Sequence, residues 1–316
     1  MNCLCCGKPL EADNHGNGWH DSCIRRFFGT AKMPDFALDT AAFELLARES
    51  TNRGYTVPGV QKKLSLHLSR GRNPRLTLVN YPTGYILKPQ VEEYEALPEA
   101  EQLAMCMAEA VGISVVPHAL VKSGENLAYI TNRIDRSFER DGVKFLAMED
   151  FCQLDLRLTQ DKYRGSYERC AKIVERYSCQ KGLDLTELFL RLVFSFIIGN
   201  SDMHLKNLSL VETSEGSAEY VLSSAYDLLP VNVILPEDTE QLALALNGKK
   251  TNLRKKDFLA FAKACDIGEA LAQRMIARLL SMENEFIRMC EDSLLPPQMK
   301  ARFSDLIEER CRVLEG

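Results

Sequence analysis

The nine residues from Gly199 to Asn207, Gly-Asn-Ser-Asp-Met-His-Leu-Lys-Asn, carry the strongest chemical signal in the chain. Upstream of them, the apolar stretch Leu183–Ile198 predicts one long buried helix. Downstream, Leu208–Val211 predicts a short strand. Within the segment, Asp202 stands five positions before Asn207. The sequence therefore places a group of polar side chains in one loop between a helix and a strand.

These side chains suit phosphoryl transfer, a reaction in which a protein acts mainly by positioning groups and stabilising charge. The carboxylate of Asp202 would accept the proton of the attacking hydroxyl, and the side-chain oxygen of Asn207 would bind Mg²⁺. Lys206 would neutralise charge on the transferred phosphoryl group. Because Asp202 already supplies the base, His204 is predicted to be a hydrogen-bonding residue on the nucleotide side of the loop. In the alternative reading, Asp202 and Asn207 form only a helix cap and a turn.

Three residues outside this loop fit the same chemistry. Asp227 follows a predicted hairpin that ends at Tyr220–Leu222, where a kinase has the aspartate of D-F-G, and it would be the second Mg²⁺ ligand. Lys88 lies near the end of an apolar strand, like the kinase lysine that pairs with the α- and β-phosphates. Glu101, on a helix predicted over residues 98–111, would orient Lys88. Alternatively, Glu101 is only a carboxylate favoured by the helix dipole.

A loop with one glycine and two lysines, Thr56–Leu64, stands where a kinase has its glycine-rich loop. Gly59, Gln61 and Lys63 in this loop are predicted to contact the nucleotide. Judged as a glycine-rich loop alone, the segment is a weak signal.

The residues around this loop are predicted to be β structure over 55–90, after a short helix at Asp39–Glu49. The turn Asn80–Gly84 contains Pro and Gly, and it predicts a hairpin. The two strands of that hairpin would be Leu76–Val79 and Tyr85–Leu87.

Four of the 11 cysteines lie in the first 23 residues. The spacing of a small tetrahedral zinc site is matched by two ligand pairs, Cys3 with Cys6 and His20 with Cys23. Two further donors, Cys5 and His15, leave the ligand assignment open. The alternative is a disordered start with free thiols. The other seven cysteines are scattered, which favours reduced thiols in a cytosol.

The net charge of −5 and the pI near 5.7 argue against a surface that binds nucleic acid over its whole extent, so no direct DNA binding is expected. No stretch approaches the ~18 apolar residues that span a membrane. Polar residues and cysteines occupy the N-terminus, where a signal peptide would be apolar. We therefore expect a cytoplasmic protein.

The order of elements predicts an α+β protein of two lobes, a small β-rich half followed by a larger helical half. We expect a zinc-binding segment over residues 1–30, a β-rich N-lobe over 31–135 and a helical C-lobe over 136–316. ATP would bind in the cleft between the lobes, as in a protein kinase.

Together, these residues and their order resemble the HipA kinase family, the toxins of bacterial type II toxin–antitoxin modules. The resemblance covers roughly residues 40–316. Its features are the G-x-Q-x-K loop, the strand lysine Lys88, the segment N-x-D-x-H-x-K-N and the Y-D segment at Asp227. The chain is most similar to the short HipT type, which lacks the amino-terminal subdomain of HipA. In those systems that subdomain is a separate small protein, HipS.

The resemblance implies the same roles for the residues above and adds two features. The backbone of Asn132 and Ile134 would form the adenine hinge. Thr56 would occupy the position of a serine that becomes autophosphorylated, and we expect a phosphate there to inhibit the enzyme. HipT-type toxins carry two such serines in S-x-S, whereas here the second position is Pro58. Thr56 is therefore the only candidate of the pair.

By resemblance, the protein is expected to be a serine/threonine kinase toxin that transfers the γ-phosphate of ATP to a protein hydroxyl. Its expected target is an aminoacyl-tRNA synthetase, and its expected partners are a HipB-like DNA-binding antitoxin and a HipS-like small protein. One alternative is a small-molecule or lipid kinase with the same machinery. Another is a non-catalytic ATP-binding module of a repressor complex, against which the intact Lys88, Asp202, Asn207 and Asp227 argue.

Overall fold

The structure is a computed structural model that describes residues 2–10, 16–36, 63–70, 73–77, 83–139 and 142–316. The chain forms two compact units. Met1–Gln102 with Val116–Val143 is the first unit, and Leu103–Val115 with Lys144–Gly316 is the second unit. The predicted helix over Asp39–Glu49, the loop residues Thr56, Gly59 and Gln61, and most of the predicted turn Asn80–Gly84 lie outside the described residues.

The first unit is dominated by a six-stranded sheet with the strand order β1-β3-β2-β4-β6-β5. Its strands pair antiparallel except for β1 with β3. Strands β7 and β8 form a separate two-stranded sheet, and α2 continues into the second unit. The elements are α1 (Asp21–Phe28), β1 (Asp35–Phe36), β2 (Leu64–Ser69), β3 (Arg75–Thr77), β4 (Tyr85–Pro89), α2 (Leu97–Ala110), β5 (His118–Ser123), β6 (Asn126–Asn132), β7 (Arg136–Glu139) and β8 (Gly142–Phe145).

The predicted hairpin of β3 with β4 is wrong, because the central strand β4 has other partners. Leu87 of β4 pairs with Leu64 of β2 on one side and with Ile130 of β6 on the other. The predicted partner strand β3 instead pairs with β2, through Leu76 and Leu68. Four of the five residues of β4 are buried, whereas β3 buries one of three. A strand buried on both faces favours an interior position, so β2 lies between the two strands predicted to be neighbours.

The N-terminal segment is part of the core of the first unit. The indole Nε1 of Trp19 donates a hydrogen bond to the carbonyl oxygen of Leu120 on β5, at 3.0 Å. The ring of Trp19 lies 5.5 Å from that of Phe27 and 5.4 Å from that of Phe28, measured between centroids. Phe28 in turn lies 5.5 Å from Tyr85 of β4. The apolar face of α1 therefore covers the sheet.

The second unit is mostly helical and contains a three-stranded antiparallel sheet with the order β11-β10-β9. Among the described residues, no helix is both long enough and apolar enough to cross a bilayer. The elements are β9 (Met148–Asp150), α3 (Phe151–Leu154), a 3₁₀ turn (Thr159–Asp161), α4 (Tyr167–Tyr177), α5 (Lys181–Ile197), a second 3₁₀ turn (Leu205–Asn207), β10 (Ser209–Glu212), β11 (Tyr220–Leu222), α6 (Val231–Ile234), α7 (Lys255–Ala264), α8 (Glu269–Leu280), α9 (Glu283–Asp292) and α10 (Pro297–Glu315).

The helix α5 is the core of the second unit, and it ends where the polar loop begins. Its Phe194 packs edge-on against Phe286, with ring centroids 6.0 Å apart. The helix is followed by Gly199, whose φ of +67° lies in the left-handed region. A Cβ at this position would lie 2.5 Å from the side chain of Leu306. Only glycine fits here, and it turns the chain directly into Asn200.

Replacing Leu192 of α5 with alanine should lower the free energy of unfolding by about 2–5 kcal/mol, because its fully buried side chain would leave a cavity. The matched control is Leu183→Ala in the same helix, where the leucine is 70% exposed and the change should stay within about 0.5 kcal/mol. Chemical denaturation followed by circular dichroism measures both. Equal losses in the two variants would contradict the burial assigned to this helix.

Candidate active site

The loop after α5 fixes the backbone on both sides of Asp202. The side-chain Oδ1 of Asn200 accepts a hydrogen bond from the amide of Asp202 at 3.1 Å. From the other side, Nδ2 of Asn207 donates to the carbonyl oxygen of Asp202 at 2.9 Å. Ser201 adds a third anchor, since its hydroxyl donates to Asp238 at 2.6 Å. The spacing noted in the sequence thus corresponds to a closed loop in which Asn207 bonds directly to the residue five positions earlier.

The carboxylate of Asp202 is 41% exposed and has a close neighbour that the sequence did not predict. The hydroxyl of Tyr163 donates a hydrogen bond to its Oδ1 at 2.5 Å. His204 is buried, with Nε2 3.9 Å from the same oxygen, and its ring lies edge-on to that of Tyr163. Tyr163 is 39 positions away in the chain, and no motif marks it.

Lys206, predicted to face the transferred phosphoryl group, pairs with a carboxylate of its own unit. Its Nζ donates to Oδ2 of Asp150 at 2.6 Å. The other oxygen of Asp150 accepts a hydrogen bond from the backbone amide of Gln153 and caps α3. The sequence analysis did not predict Asp150 as the partner of Lys206, although its D-x-x-Q pattern is typical of a capping box at the start of a helix.

The residue before Asp227, Tyr226, bonds to the loop that carries Asp202 and Asn207. The hydroxyl of Tyr226 lies 2.5 Å from the hydroxyl of Ser209, and it donates to the carbonyl oxygen of Lys206 at 3.1 Å. Asp227 itself has a φ of +60°, a conformation that costs a non-glycine residue free energy. Burial raises the pKa of Tyr163, and the charges of Asp202, Asp238 and Asp227 raise it further. The charges of three aspartates of the second unit therefore act on the same tyrosine.

The first unit contains the predicted ion pair of Lys88 and Glu101. The Nζ of Lys88 lies 2.5 Å from Oε1 of Glu101, with side chains only 4% and 1% exposed. Lys88 also lies over the ring of Tyr129, its partner on β6, at 5.3 Å from the centroid. Removing two charges from water is costly unless the pair is well made, so its burial suggests a role other than stability.

The remaining predicted nucleotide contacts are placed separately in the first unit. Lys63 is exposed, just before β2. Asn132 ends β6, and its backbone amide donates to the carbonyl oxygen of Pro117 at 3.1 Å. Ile134 follows in a bend and is half-buried. The amide of Asn132 therefore already has a backbone partner, which leaves Ile134 as the better candidate for an adenine contact.

The cysteine and histidine residues of the N-terminal segment form a second candidate site. The ligand atoms of Cys3, Cys6, His20 and Cys23 all lie within 4.8 Å of one another and could hold a metal ion. His20 Nδ1 is 3.4 Å from the sulfur of Cys6 and 3.8 Å from that of Cys23. Its Nε2 lies 3.0 Å from the carbonyl oxygen of Pro9. A proton on Nε2 donated to Pro9 leaves the lone pair of Nδ1 directed at the sulfurs, as in a metal-binding histidine.

The backbone around these sulfurs has the form of a tight metal-binding turn. The amide of Gly7 donates to the carbonyl oxygen of Cys3 at 2.8 Å, and the amide of His20 approaches the sulfur of Cys3 at 3.5 Å. Burial opposes ionisation of Cys3, but backbone amides, first that of Cys6, lower its pKa overall. Burial instead raises the pKa of Cys5 to about 11. The sulfur of Cys5 is not among the ligand atoms that converge, and His15 lies outside the described residues.

Solved structures with the same fold include two bacterial proteins. HipA of Shewanella oneidensis, crystallised as a toxin–antitoxin complex with HipB and its operator DNA, matches with a TM-score of 0.68 and 20% identity, covering 85% of this chain and 71% of that one. The Helicobacter pylori proinflammatory kinase CtkA matches with a TM-score of 0.55 and 14% identity, covering 80% of this chain and 95% of that one. The mixed α and β fold of this chain is therefore the one shared by these two structures.

The chain belongs to the HipA-like C-terminal domain family, whose model matches residues 55–286. Similar sequences include the Sinorhizobium fredii proteins named "Putative kinase Y4mE" and "Putative kinase Y4dM", which are 28% and 30% identical over 75% and 83% of this chain. The chain spans only 57% and 65% of their lengths. A "Putative kinase" of Haemophilus influenzae is 25% identical over 92% of this chain and 90% of its own length.

The buried pair in the first unit generates a stability prediction. Glu101→Gln should lower the free energy of unfolding by about 3–5 kcal/mol, because it replaces the carboxylate that pairs with the buried amine of Lys88 by a neutral amide. Lys88→Met with Glu101→Leu should cost less than that single change, since it removes both charges. Denaturant unfolding of the single and double variants measures the difference.

The control for this comparison is the exposed pair of Arg288 and Glu285, with side chains 66% and 38% exposed. Glu285→Gln should change the stability by less than about 1 kcal/mol. If the double variant were less stable than Glu101→Gln, the unpaired charge could not be the cause of the loss of stability in the single variant.

Proposed function

We propose that the protein is an ATP-dependent serine/threonine protein kinase. The observation that carries this proposal is the closed loop of the second unit, in which Asn207 bonds to the backbone of Asp202 and leaves the carboxylate of Asp202 at the surface with a hydroxyl hydrogen-bonded to it. The base and the metal ligand are thereby held by one short segment. Membership of a family with relatives named as kinases supports the same reaction.

In the proposed mechanism, the oxygen of a serine or threonine attacks the γ-phosphorus of ATP while the bond to the ADP oxygen breaks. Asp202 accepts the proton of the attacking hydroxyl. Asn207 and Asp227 would hold Mg²⁺, which neutralises charge on the phosphate oxygens when bound. Lys88, oriented by Glu101, would contact the α- and β-phosphates.

Further nucleotide contacts belong to the same proposal. The two units would correspond to the N-lobe and C-lobe of a kinase. Gly59, Gln61 and Lys63 would form the loop over the phosphates, and Asn132 with Ile134 the hinge region. His204 would support the loop from the nucleotide side. Thr56 would be an autophosphorylation site. A phosphate there would add negative charge to the loop over the ATP phosphates and inhibit the enzyme.

The biological role we propose is that of a toxin of a type II toxin–antitoxin system, of the HipT type. The similarity to a HipA crystallised with HipB and operator DNA supports a HipB-like antitoxin as partner. A HipS-like small protein and an aminoacyl-tRNA synthetase target complete the proposal. Phosphorylation of a synthetase would inhibit translation, and both the system and its target would lie in the cytoplasm.

The cluster of Cys3, Cys6, His20 and Cys23 would hold a structural Zn²⁺. Three thiolates and one imidazole form a standard closed zinc set, with no position left for a reacting water. The hydrogen bond from His20 to Pro9 and the amide directed at Cys3 support this assignment. The metal would stabilise the segment whose Trp19 and α1 cover the sheet of the first unit.

Asp202→Asn should reduce phosphoryl transfer by on the order of 10²–10⁴ while leaving Mg·ATP binding largely intact, because it removes only the proton acceptor. Transfer is measured with γ-labelled ATP and bacterial lysate proteins, and binding by calorimetry. Asp227→Ala should instead lose Mg²⁺-dependent nucleotide affinity. The control is Asp305→Asn, an exposed aspartate on α10. Full transfer activity in Asp202→Asn would refute the assignment of the base.

The purified protein should contain about one Zn²⁺ per chain by elemental analysis, as expected for one tetrahedral site. Cys6→Ser combined with Cys23→Ser should lose the metal and lower the melting temperature, since metal binding is coupled to folding. Cys5→Ala is the matched control and should retain the metal, because Cys5 lies outside the ligand set. Metal-free wild-type protein, prepared without chelator, would rule out the site.

A further inference from the structure

Tyr163 makes close contacts with its neighbours although it lies at the surface. Its hydroxyl is 2.5 Å from Oδ1 of Asp202, and its ring lies edge-on to that of His204 at 5.0 Å between centroids. The amine of Lys162 lies over the same ring, 4.8 Å from the centroid. Even so, Tyr163 is 42% exposed. One edge of the side chain therefore faces solvent while the hydroxyl contacts Asp202.

The hydroxyl of Tyr163 is a neutral donor in this contact. Burial is the largest cause that raises its pKa, followed by the charge of Asp202 and the hydrogen bond to it. The hydrogen bond thus runs from an O–H group to a carboxylate. A serine or threonine hydroxyl must make the same contact before it attacks a phosphate.

The contact is not needed to position Asp202. The backbone of Asp202 is already held by Asn200 on one side and Asn207 on the other. Removing the tyrosine hydroxyl would therefore leave the backbone of Asp202 in place.

The backbone of the segment that carries Tyr163 is fixed to the same loop. The amide of Leu205 donates to the carbonyl oxygen of Lys162 at 3.2 Å. A Cβ added to Gly165 would be in ordinary contact with the side chain of Leu205, 3.5 Å away. The backbone next to Tyr163 is thus joined to the loop that carries Asp202, while the side chain of Tyr163 is partly exposed.

We infer that the Tyr163 hydroxyl occupies the acceptor position on Asp202, and that the hydroxyl of a protein substrate must displace it. This inference rests on the proposed kinase function and names a residue that determines its specificity. A water molecule gains too few contacts to displace the side chain, whereas a protein substrate can compensate through its wider contact surface. Tyr163 would therefore suppress wasteful hydrolysis of ATP.

Tyr163→Phe tests the inference, because it removes the hydroxyl and keeps the ring against His204 and Lys162. Without any protein acceptor, the rate of Mg·ATP hydrolysis should rise about three- to tenfold, the effect expected for loss of one hydrogen bond to a charged group that is partly exposed. The KM for ATP should stay unchanged. The matched control is Tyr177→Phe in the same unit, where the tyrosine is 37% exposed and lies against Arg176. This control should hydrolyse ATP at the wild-type rate.

A second measurement tests the contact without using activity. In protein labelled with ¹³C at the tyrosine ring, the resonance that disappears in Tyr163→Phe should shift in Asp202→Asn, and the resonance of Tyr177 should not. An unshifted Tyr163 resonance, or hydrolysis in Tyr163→Phe that is equal to or slower than wild type, would overturn the inference. So would a phosphate on Tyr163 after incubation with Mg·ATP, which would make the residue an acceptor itself. The labelled-protein transfer assay decides the kinase function separately, so the two can fail independently.

Discussion

The hydrogen bond from the side-chain amide of Asn207 to the carbonyl oxygen of Asp202 is the constraint on which the candidate site depends. It closes the loop after α5 and holds together two groups that act together in the proposed mechanism. It also determines which end of the Asn207 side-chain amide bonds to the loop, namely the nitrogen. Since Nδ2 is used inside the loop, the amide oxygen remains as the acceptor available to a metal ion. One contact therefore positions both the proposed base and the proposed metal ligand, and the buried helix before it supplies the rigidity.

In the proposed function, Mg²⁺ would complete the charges of the second unit. The charges of Asp202, Asp227 and Asp238 all act on the same tyrosine. Two amines lie near these groups: that of Lys206 is bonded to Asp150, and that of Lys162 lies over the ring of Tyr163. The left-handed conformation of Asp227 adds a local cost of the kind that persists at functional sites. A site of this charge is suited to Mg²⁺ and phosphate arriving together, each reducing the cost of binding the other.

The sequence could predict the parts of the site that depend on local spacing. Asp202 with Asn207 lies within one loop, and Glu101 stands on the helix directly after the strand of Lys88, so neither prediction required knowledge of the fold. The contact of Tyr163 with Asp202 could not be predicted, because it joins positions 39 residues apart that share no periodic pattern. The predicted pairing of β3 with β4 was wrong for a related reason. Whether β3 or β2 pairs with β4 depends on which strand is buried on both faces, and the turn residues between β3 and β4 carry no information about that.

The N-terminal segment shows how a small unit can obtain a larger core. The rings of Phe27 and Phe28 pack against Trp19 beside the sheet of the first unit. The carbonyl oxygen of Leu120 accepts the hydrogen bond of the indole. Cys3, Cys23 and Trp19 are buried in the same core, so the turn that carries the sulfurs is part of it. A metal at Cys3, Cys6, His20 and Cys23 would hold that turn and α1 together, so its binding free energy would become folding free energy of the whole unit. Lys88 and Tyr85 lie on the same strand, and Tyr85 packs against Phe28. The proposed zinc segment would thus support the strand that presents the nucleotide lysine, although no residue of the segment takes part in the chemistry.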